Sequence, residues 1–305
     1  MRKQQHAKTI TETVRQLADF NSVKVLCNLQ HEAEPMPSGK VLHEIIELCR
    51  SLIFPGYFGR SRIDLDTLPY HLGVSTEQLY KLLTEQILAG MCNACNRKTA
   101  IDIEQEKESA EQKAADFIAS LPELRRILAT DVIAAYNGDP AAESYAEVIF
   151  CYPAIRAISN YRIAHRLMEL DVPLIPRMIS EMAHSETGID IHPAATIGEC
   201  FAIDHGTGVV IGATAIIGKN VKLYQGVTLG AKSFPLDCCG NPIKGILRHP
   251  IIGDNVIIYS NATILGRIKI GEGATIGGNI WVTEDVATGE QITQFKAKQR
   301  ESEER

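Results

Sequence analysis

Between residues 191 and 286 an aliphatic residue returns at every sixth position, and that period leaves few folds open to the chain. It falls at Ile191, Ile197 and Ile203, then after a slip of two residues at Ile211, Ile217, Leu223 and Leu229. After a longer interruption it resumes at Ile252, Ile258, Ile264, Ile270, Ile276 and Val282. A glycine often follows directly. Three residues further on stands a second small or β-branched residue, as at Ala195, Ala215, Val221, Val227, Val256, Ala262, Ile268 and Ala274. A period of six is neither that of a helix nor that of a simple strand. It suits a parallel β-solenoid, in which each hexad makes one short side and three hexads, about 18 residues, close one coil. The aliphatic residue then points inward onto its counterparts in neighbouring coils, and the glycines serve the corners.

The preceding half has a different grammar. Segments such as VLHEIIELCRSLIF, STEQLYKLLTEQILAG and AADFIASLPELRRILATDVIAAY carry apolar residues at three- and four-residue spacings, which predicts helices. Ser75, and Asp139 before Pro140, read as helix starts. Gly56, Gly59, Gly73, Gly90 and the run EQEKESAEQK read as breaks between helices. The expected organisation is α+β: an all-helical domain over 1–185, a parallel β-helix over 186–288 and a charged tail over 289–305. At 305 residues the chain can bury a sizeable core. A net charge of −6 gives no reason to expect nucleic acid or an anionic membrane as partner. No apolar run is long enough to span a bilayer, and nothing at the start resembles a signal peptide. The eight cysteines show no framework, so reduced thiols and a cytoplasmic location are expected. Cys92 and Cys95 form a lone C-x-x-C without the second pair a zinc site needs. Cys238 and Cys239 fall in a loop.

Chemistry is expected where the hexads are broken. Asp190 precedes the first coil in GIDIHP, and Asp204 and His205 sit together in IDHGTG. Arg248 and His249 end the excursion LGAKSFPLDCCGNPIKGILRHP. Titratable residues on a scaffold of Ile, Val, Ala and Gly are candidates for a site. Asp190 and His205 are 15 positions apart, close to one coil, so a carboxylate could orient the imidazole and leave its other nitrogen as a general base. With no obvious Ser or Cys nucleophile, direct proton removal from a substrate hydroxyl is the economical use of that base. His192, in IHPAATIG, reads as structural.

The stretches DPAAESYAEVIFCYPAIRAISNYRIAHRLMEL, GIDIHPAATIG, IDHGTGVVIGATAIIGKNVKLYQGVTLGAK, RHP and ATILGRIKIGEGATIGG resemble the serine O-acetyltransferases over roughly residues 138–285. The resemblance implies a left-handed parallel β-helix, trimeric, with sites between neighbouring subunits and a helical domain that commonly pairs two trimers. It implies acetyl transfer from acetyl-CoA to L-serine, with no metal. It makes His205 the general base and Asp190 its orienting carboxylate. Asp139 and Asp204 would hold the serine amino group, and Arg248 and His249 would contact its carboxylate and hydroxyl side. Gly230, Ala231, Ser260 and Gly278 would line the acetyl-CoA arm. The sequence departs from the family pattern in the long excursion after Gly230, in Ala213 where the family has Glu, and in the missing G-x-P-A-R close. It ends in Arg305, where members that dock into cysteine synthase end in Ile, so no tail complex of that kind is expected. The alternative reading is a hexapeptide-repeat acyltransferase with another hydroxyl acceptor, which the zwitterion-suited Asp139, Asp204 and Arg248 disfavour. A zinc enzyme of the γ-carbonic anhydrase kind would need three converging histidines, and His192, His205 and His249 lack that spacing. A solenoid without catalysis would have no use for Asp-His pairs.

Overall fold

The computed structural model describes residues 2–19, 21, 36–59, 64–94 and 100–294. Cys27, Cys95 and the chain end at Arg305 lie outside the described residues. Seven helices come first among those described: α1 (Arg2–Leu17), α2 (Gly39–Ile53), α3 (Leu68–Ala94), α4 (Ala100–Gly138), α5 (Tyr145–Cys151), α6 (Pro153–Glu169) and α7 (Ile175–Thr187). The solenoid follows directly.

Strands of two or three residues stack in parallel into three flat faces. The first face holds Asp190–Ile191, Val210–Ile211, Thr228–Gly230, Thr263–Leu265 and Trp281–Val282. The second holds Thr196–Ile197, Ile216–Ile217, Ile251–Ile252 and Lys269–Ile270. The third holds Ala202–Asp204, Lys222–Tyr224, Ile257–Ile258, Thr275–Ile276 and Gln291–Ile292. This is the left-handed β-helix the hexads require. All thirteen periodic aliphatic residues are buried in its axis, and Ile292 adds one more rung within the segment read as tail. Each such side chain contributes on the order of 1.5–3 kcal/mol by leaving water.

Register turns the sequence irregularities into geometry. Thr263 pairs with Trp281 and Val210 with Thr228, both 18 positions apart, the plain coil. Asp190 pairs with Val210, 20 positions on, so the first coil carries two surplus residues at the His205 corner. Thr263 pairs with Thr228 at a separation of 35, and the surplus there is the excursion 231–247. Within it Cys238 and Cys239 are exposed free thiols.

The helices differ from the sequence reading in three places. Ser75 and Gly73 lie inside α3, as does Gly90, and EQEKESAEQK lies inside α4. Asp139–Pro140 does not open a helix: it forms the turn that closes α4, and α5 begins after Ser144, whose hydroxyl accepts from the Glu147 N–H at 3.1 Å. The end of α4 is thereby held against the solenoid corner that carries His205.

The two halves are joined by a buried polar seam. Asp131 of α4 is fully buried and pairs with Arg162 of α6 at 3.1 Å. Asp131 also accepts from the Phe201 N–H at 2.9 Å, while Arg162 donates to the carbonyls of Ile197 and Gly198 at 2.5 and 2.6 Å. Tyr161 donates to the Ala195 carbonyl at 2.7 Å and Ser180 to that of Ile191 at 3.0 Å. The first coil is therefore capped by α6 and α7.

Candidate active site

The two surplus residues of the first coil create the most unusual corner of the solenoid. His205 adopts a left-handed backbone, φ 58°, and its side chain is 76% exposed. A histidine in this region of φ is uncommon and signals a local constraint worth a functional reading. Beside it the Asp204 carboxylate is only 17% exposed, with Oδ1 3.8 Å from His205 Nε2 and Oδ2 2.9 Å from Lys222 Nζ.

Asp139 reaches the same corner from the end of α4. Its Oδ2 accepts from the Tyr152 hydroxyl at 2.6 Å and its Oδ1 from the Ala141 N–H at 2.8 Å. Those two bonds, then the positive charge of Lys222 and the imidazole of His205, hold the Asp139 carboxyl below its ordinary pKa. The Tyr152 hydroxyl is correspondingly pushed up, first by that bond. Asp139, Asp204 and His205 thus lie about one corner, together with Lys222 and Tyr152, which the sequence reading does not single out.

Asp190 lies on the adjoining strand but makes no hydrogen bond to His205 among the described residues. Its carboxylate gathers instead with Glu181 and His184 of α7, whose ligand atoms all fall within 4.8 Å of one another. A plain coil of 18 residues would set Asp190 opposite Gly208. The corner insertion places Asp190 opposite Val210 instead.

Arg248 and His249 occupy a different edge, between the first and second faces, where the excursion returns. Thr214 organises them: its hydroxyl oxygen accepts from the N–H groups of Arg248 at 3.0 Å and His249 at 3.1 Å. The Thr214 N–H donates to His249 Nδ1 at 3.1 Å, which leaves the ring proton on Nε2 in the neutral form. Arg267 fixes the same segment through the carbonyls of Thr214 and His249, at 2.5 and 2.9 Å. The His249 ring lies directly over Gly212, where a Cβ would come within 2.1 Å of Nε2. Only glycine leaves room for that imidazole. The Arg248 guanidinium stacks 5.6 Å from the Phe234 ring centre, and its buried Nε has no hydrogen-bond partner.

His192 shares this edge, its Nδ1 accepting from the Ala194 N–H at 3.0 Å. Burial, then the charges of Arg177, His249 and Arg248, lower its pKa from 6.5 to about 4. Burial and Arg248 also lower that of His249. A histidine depressed in this way binds more protons when unfolded, so its stabilising contribution is complete above about pH 6.5 and is lost as pH falls toward about 4. Thermal unfolding midpoints are therefore expected to drop across that interval, and His192→Asn, whose amide oxygen can still accept from Ala194, should flatten the slope. Equal slopes in the two proteins would refute this.

Of the residues read as lining the acetyl-CoA arm, Ser260 and Gly278 are neighbours on the His205 edge, where the Asn279 N–H donates to the Ser260 carbonyl at 2.9 Å. Gly230 and Ala231 lie on the Arg248 edge, at the start of the excursion. The Gly230 carbonyl accepts from the Gly266 N–H at 3.1 Å.

A solenoid with an imidazole–carboxylate corner defines a hexapeptide-repeat transferase, and the family "Bacterial transferase hexapeptide (six repeats)" matches residues 249–279. A "Serine acetyltransferase, plasmid" of Synechococcus elongatus is 47% identical over 275 residues, 88% of this chain and 85% of the relative. Serine acetyltransferase 1 of Entamoeba histolytica, solved in complex with L-cysteine, superposes with a TM-score of 0.71 at 34% identity, covering 87% of this chain and 93% of that one. Soybean serine acetyltransferase complexed with serine gives 0.53 at 29% identity, over 86% and 96% of the two chains. The chain belongs to the serine acetyltransferase family.

Proposed function

We propose that this chain transfers the acetyl group of acetyl-CoA to the hydroxyl of L-serine, giving O-acetyl-L-serine and CoA, a step of cysteine biosynthesis. The observation that carries the reading is the convergence of Asp139, Asp204 and the exposed imidazole of His205 on one corner. His205 removes the serine hydroxyl proton as that oxygen attacks the thioester carbonyl. When the carbon–sulfur bond breaks, the imidazolium returns the proton to the departing thiolate, so one residue serves both steps. Asp139 and Asp204 take the serine ammonium. Arg248, with a buried Nε lacking a partner, is a suitable receptor for the serine carboxylate, and His249 offers an Nε2–H donor to the hydroxyl side. Asp190 can orient His205 only if the exposed ring turns toward it.

His205 and Arg248 sit on separate edges of one prism. A closed three-fold assembly brings an edge of one subunit against an edge of the next, which supports a homotrimer, or a pair of trimers, with sites between subunits. The acetyl-CoA arm then runs along backbone amides near Ser260 and Gly278 on one side and Gly230 and Ala231 on the other. No helix among the described residues is long and apolar enough to cross a membrane. The free thiols support a cytoplasmic enzyme.

The test is thiol release from acetyl-CoA with L-serine, then with L-homoserine, a sugar and an aminoglycoside as acceptors. Serine is expected to support turnover and the others little. Equal or greater turnover with a non-amino-acid hydroxyl would move the chain to the alternative acceptor class.

A further inference from the structure

Lys222 has no part in the chemistry described so far, yet it sits inside the site. It lies on the coil next to Asp204, in the pairing that sets Ala202 opposite Lys222 and Asp204 opposite Tyr224. Its ammonium donates to the Gly138 carbonyl at 2.6 Å, lies 2.9 Å from Asp204 Oδ2, and stands 4.5 Å from the centre of the Tyr224 ring. A carbonyl, a carboxylate and an aromatic face thus surround the ammonium. A strut tying the end of α4 to the solenoid would look like this.

The identity of one acceptor adds a second consequence. Asp204 is a carboxylate proposed to receive the substrate's amino group, and the lysine terminus is the same chemical species, a primary ammonium. Asp139 already has a donor on each oxygen, from Tyr152 and from Ala141. We propose that Lys222 is a built-in competitor for the amino group of the acceptor substrate, and so a residue that sets how tightly serine and amino-acid inhibitors are held. The inference rests on the serine reading above.

The charge balance supports it. Two carboxylates and one internal ammonium leave this corner with one net negative charge. An incoming ammonium meets both the attraction of the carboxylates and the repulsion of Lys222 a few ångströms away. The Lys222 and Asp204 side chains are 18% and 17% exposed, so screening by salt is weak here. Lys222 also has somewhere to go when displaced. A groove of about 420 Å³ opens beside it between α4 and the third face, lined in part by Asn137, Asn220 and Asn255.

The experiment compares the full-length enzyme with Lys222→Met, which keeps the unbranched stem and loses the charged terminus, and with Lys222→Arg, which keeps the charge. KM for L-serine is expected to fall by about tenfold in Lys222→Met, the scale of one unit charge acting over this distance in a partly screened site. KM for acetyl-CoA should stay unchanged, and Lys222→Arg should resemble the parent. The inhibition constant of L-cysteine should tighten with the serine KM, while that of 3-mercaptopropionate, which lacks an amino group, should not. A mere strut gives the opposite split: losing it loosens the site and raises the serine KM. An unchanged or raised serine KM in folded Lys222→Met, or parallel tightening of both thiols, would overturn the proposal. Lys222→Gln, which can still donate to Gly138, replaces the Met variant if that one does not fold. If the parent enzyme shows no serine-dependent thiol release, the serine reading fails. If it does and the variants leave the serine KM unmoved, this inference alone fails.

Discussion

His205→Asn is expected to lower kcat by roughly 10²–10⁴-fold, the range for loss of a positioned general base, while leaving the fold intact. The second half of that expectation is structural. The imidazole is largely exposed, so little packing is lost. The backbone at 205 is left-handed, and asparagine is the residue this chain itself uses there: Asn220, Asn255, Asn261 and Asn279 all have φ between 57° and 59°. The variant therefore removes the base and retains the corner. Steady-state kinetics alongside a thermal melt decide the matter: a turnover close to the parent's would remove His205 from the mechanism. Asp190→Asn is expected to cost less, because Asp190 can act only by orienting the ring once it turns toward it, while the base itself stays in place.

Where the sequence was legible, a strict geometric demand had imposed a strict pattern. The axis of the solenoid admits only an inward aliphatic side chain at each hexad, and every one of the thirteen is buried. The slip of two residues before Ile211 likewise marks a real insertion, the one that pushes His205 out. The helical half obeys no such single rule. EQEKESAEQK reads as a break because its polar residues crowd together, yet Ala110 is buried within it, Ala114 and Phe117 continue that buried stripe just beyond it, and Glu, Gln, Lys and Ala are all good helix formers. Gly90 stands inside α3 for a tertiary reason: a Cβ there would lie 2.8 Å from the Pro173 carbonyl oxygen, across the connection between α6 and α7. Asp139–Pro140 carries the composition of a helix start, but the Asp139 side chain is spent on the Ala141 N–H and the Tyr152 hydroxyl as a turn.

The site shows the same division. Asp204, His205, Arg248 and His249 stood out because they interrupt the repeat. Lys222, Tyr152 and Thr214 did not, since Lys222 and Thr214 occupy outward positions where the repeat tolerates any polar residue and Tyr152 sits at a helix junction. Their part depends on which coil and which helix end they meet, and that follows from register and from the docking of α4. The Asp190–His205 spacing illustrates the limit from the other side: a separation close to one coil puts the two residues at neighbouring corners, but the side-chain neighbours of Asp190, Glu181 and His184, come from α7.

That docking rests on the Asp131–Arg162 seam, and Asp131→Ala is expected to destabilise the folded chain by about 3–5 kcal/mol, the usual cost of removing one partner from a buried ion pair. Asp131 has no exposure and Arg162 nearly none, so the orphaned guanidinium could not reach water without moving α6. Burial pushes the Asp131 carboxyl up, and the charge and hydrogen bonds of Arg162 work against it, so the folded state keeps this carboxylate only as part of the pair. A loss of that size corresponds to a melting midpoint lower by on the order of 10 °C in a chain of this length. Neutralising both partners, as in Asp131→Leu with Arg162→Met, should recover only part of the loss. The Phe201 N–H and the carbonyls of Ile197 and Gly198 would each lose a buried partner in the double variant. Thermal melts of the parent, the single and the double variants test this order. A single variant that melts with the parent would show that the seam does not hold α4 and α6 to the first coil. Because Asp139 is delivered to the active corner by the end of α4, the serine KM should rise in the single variant before the chain unfolds.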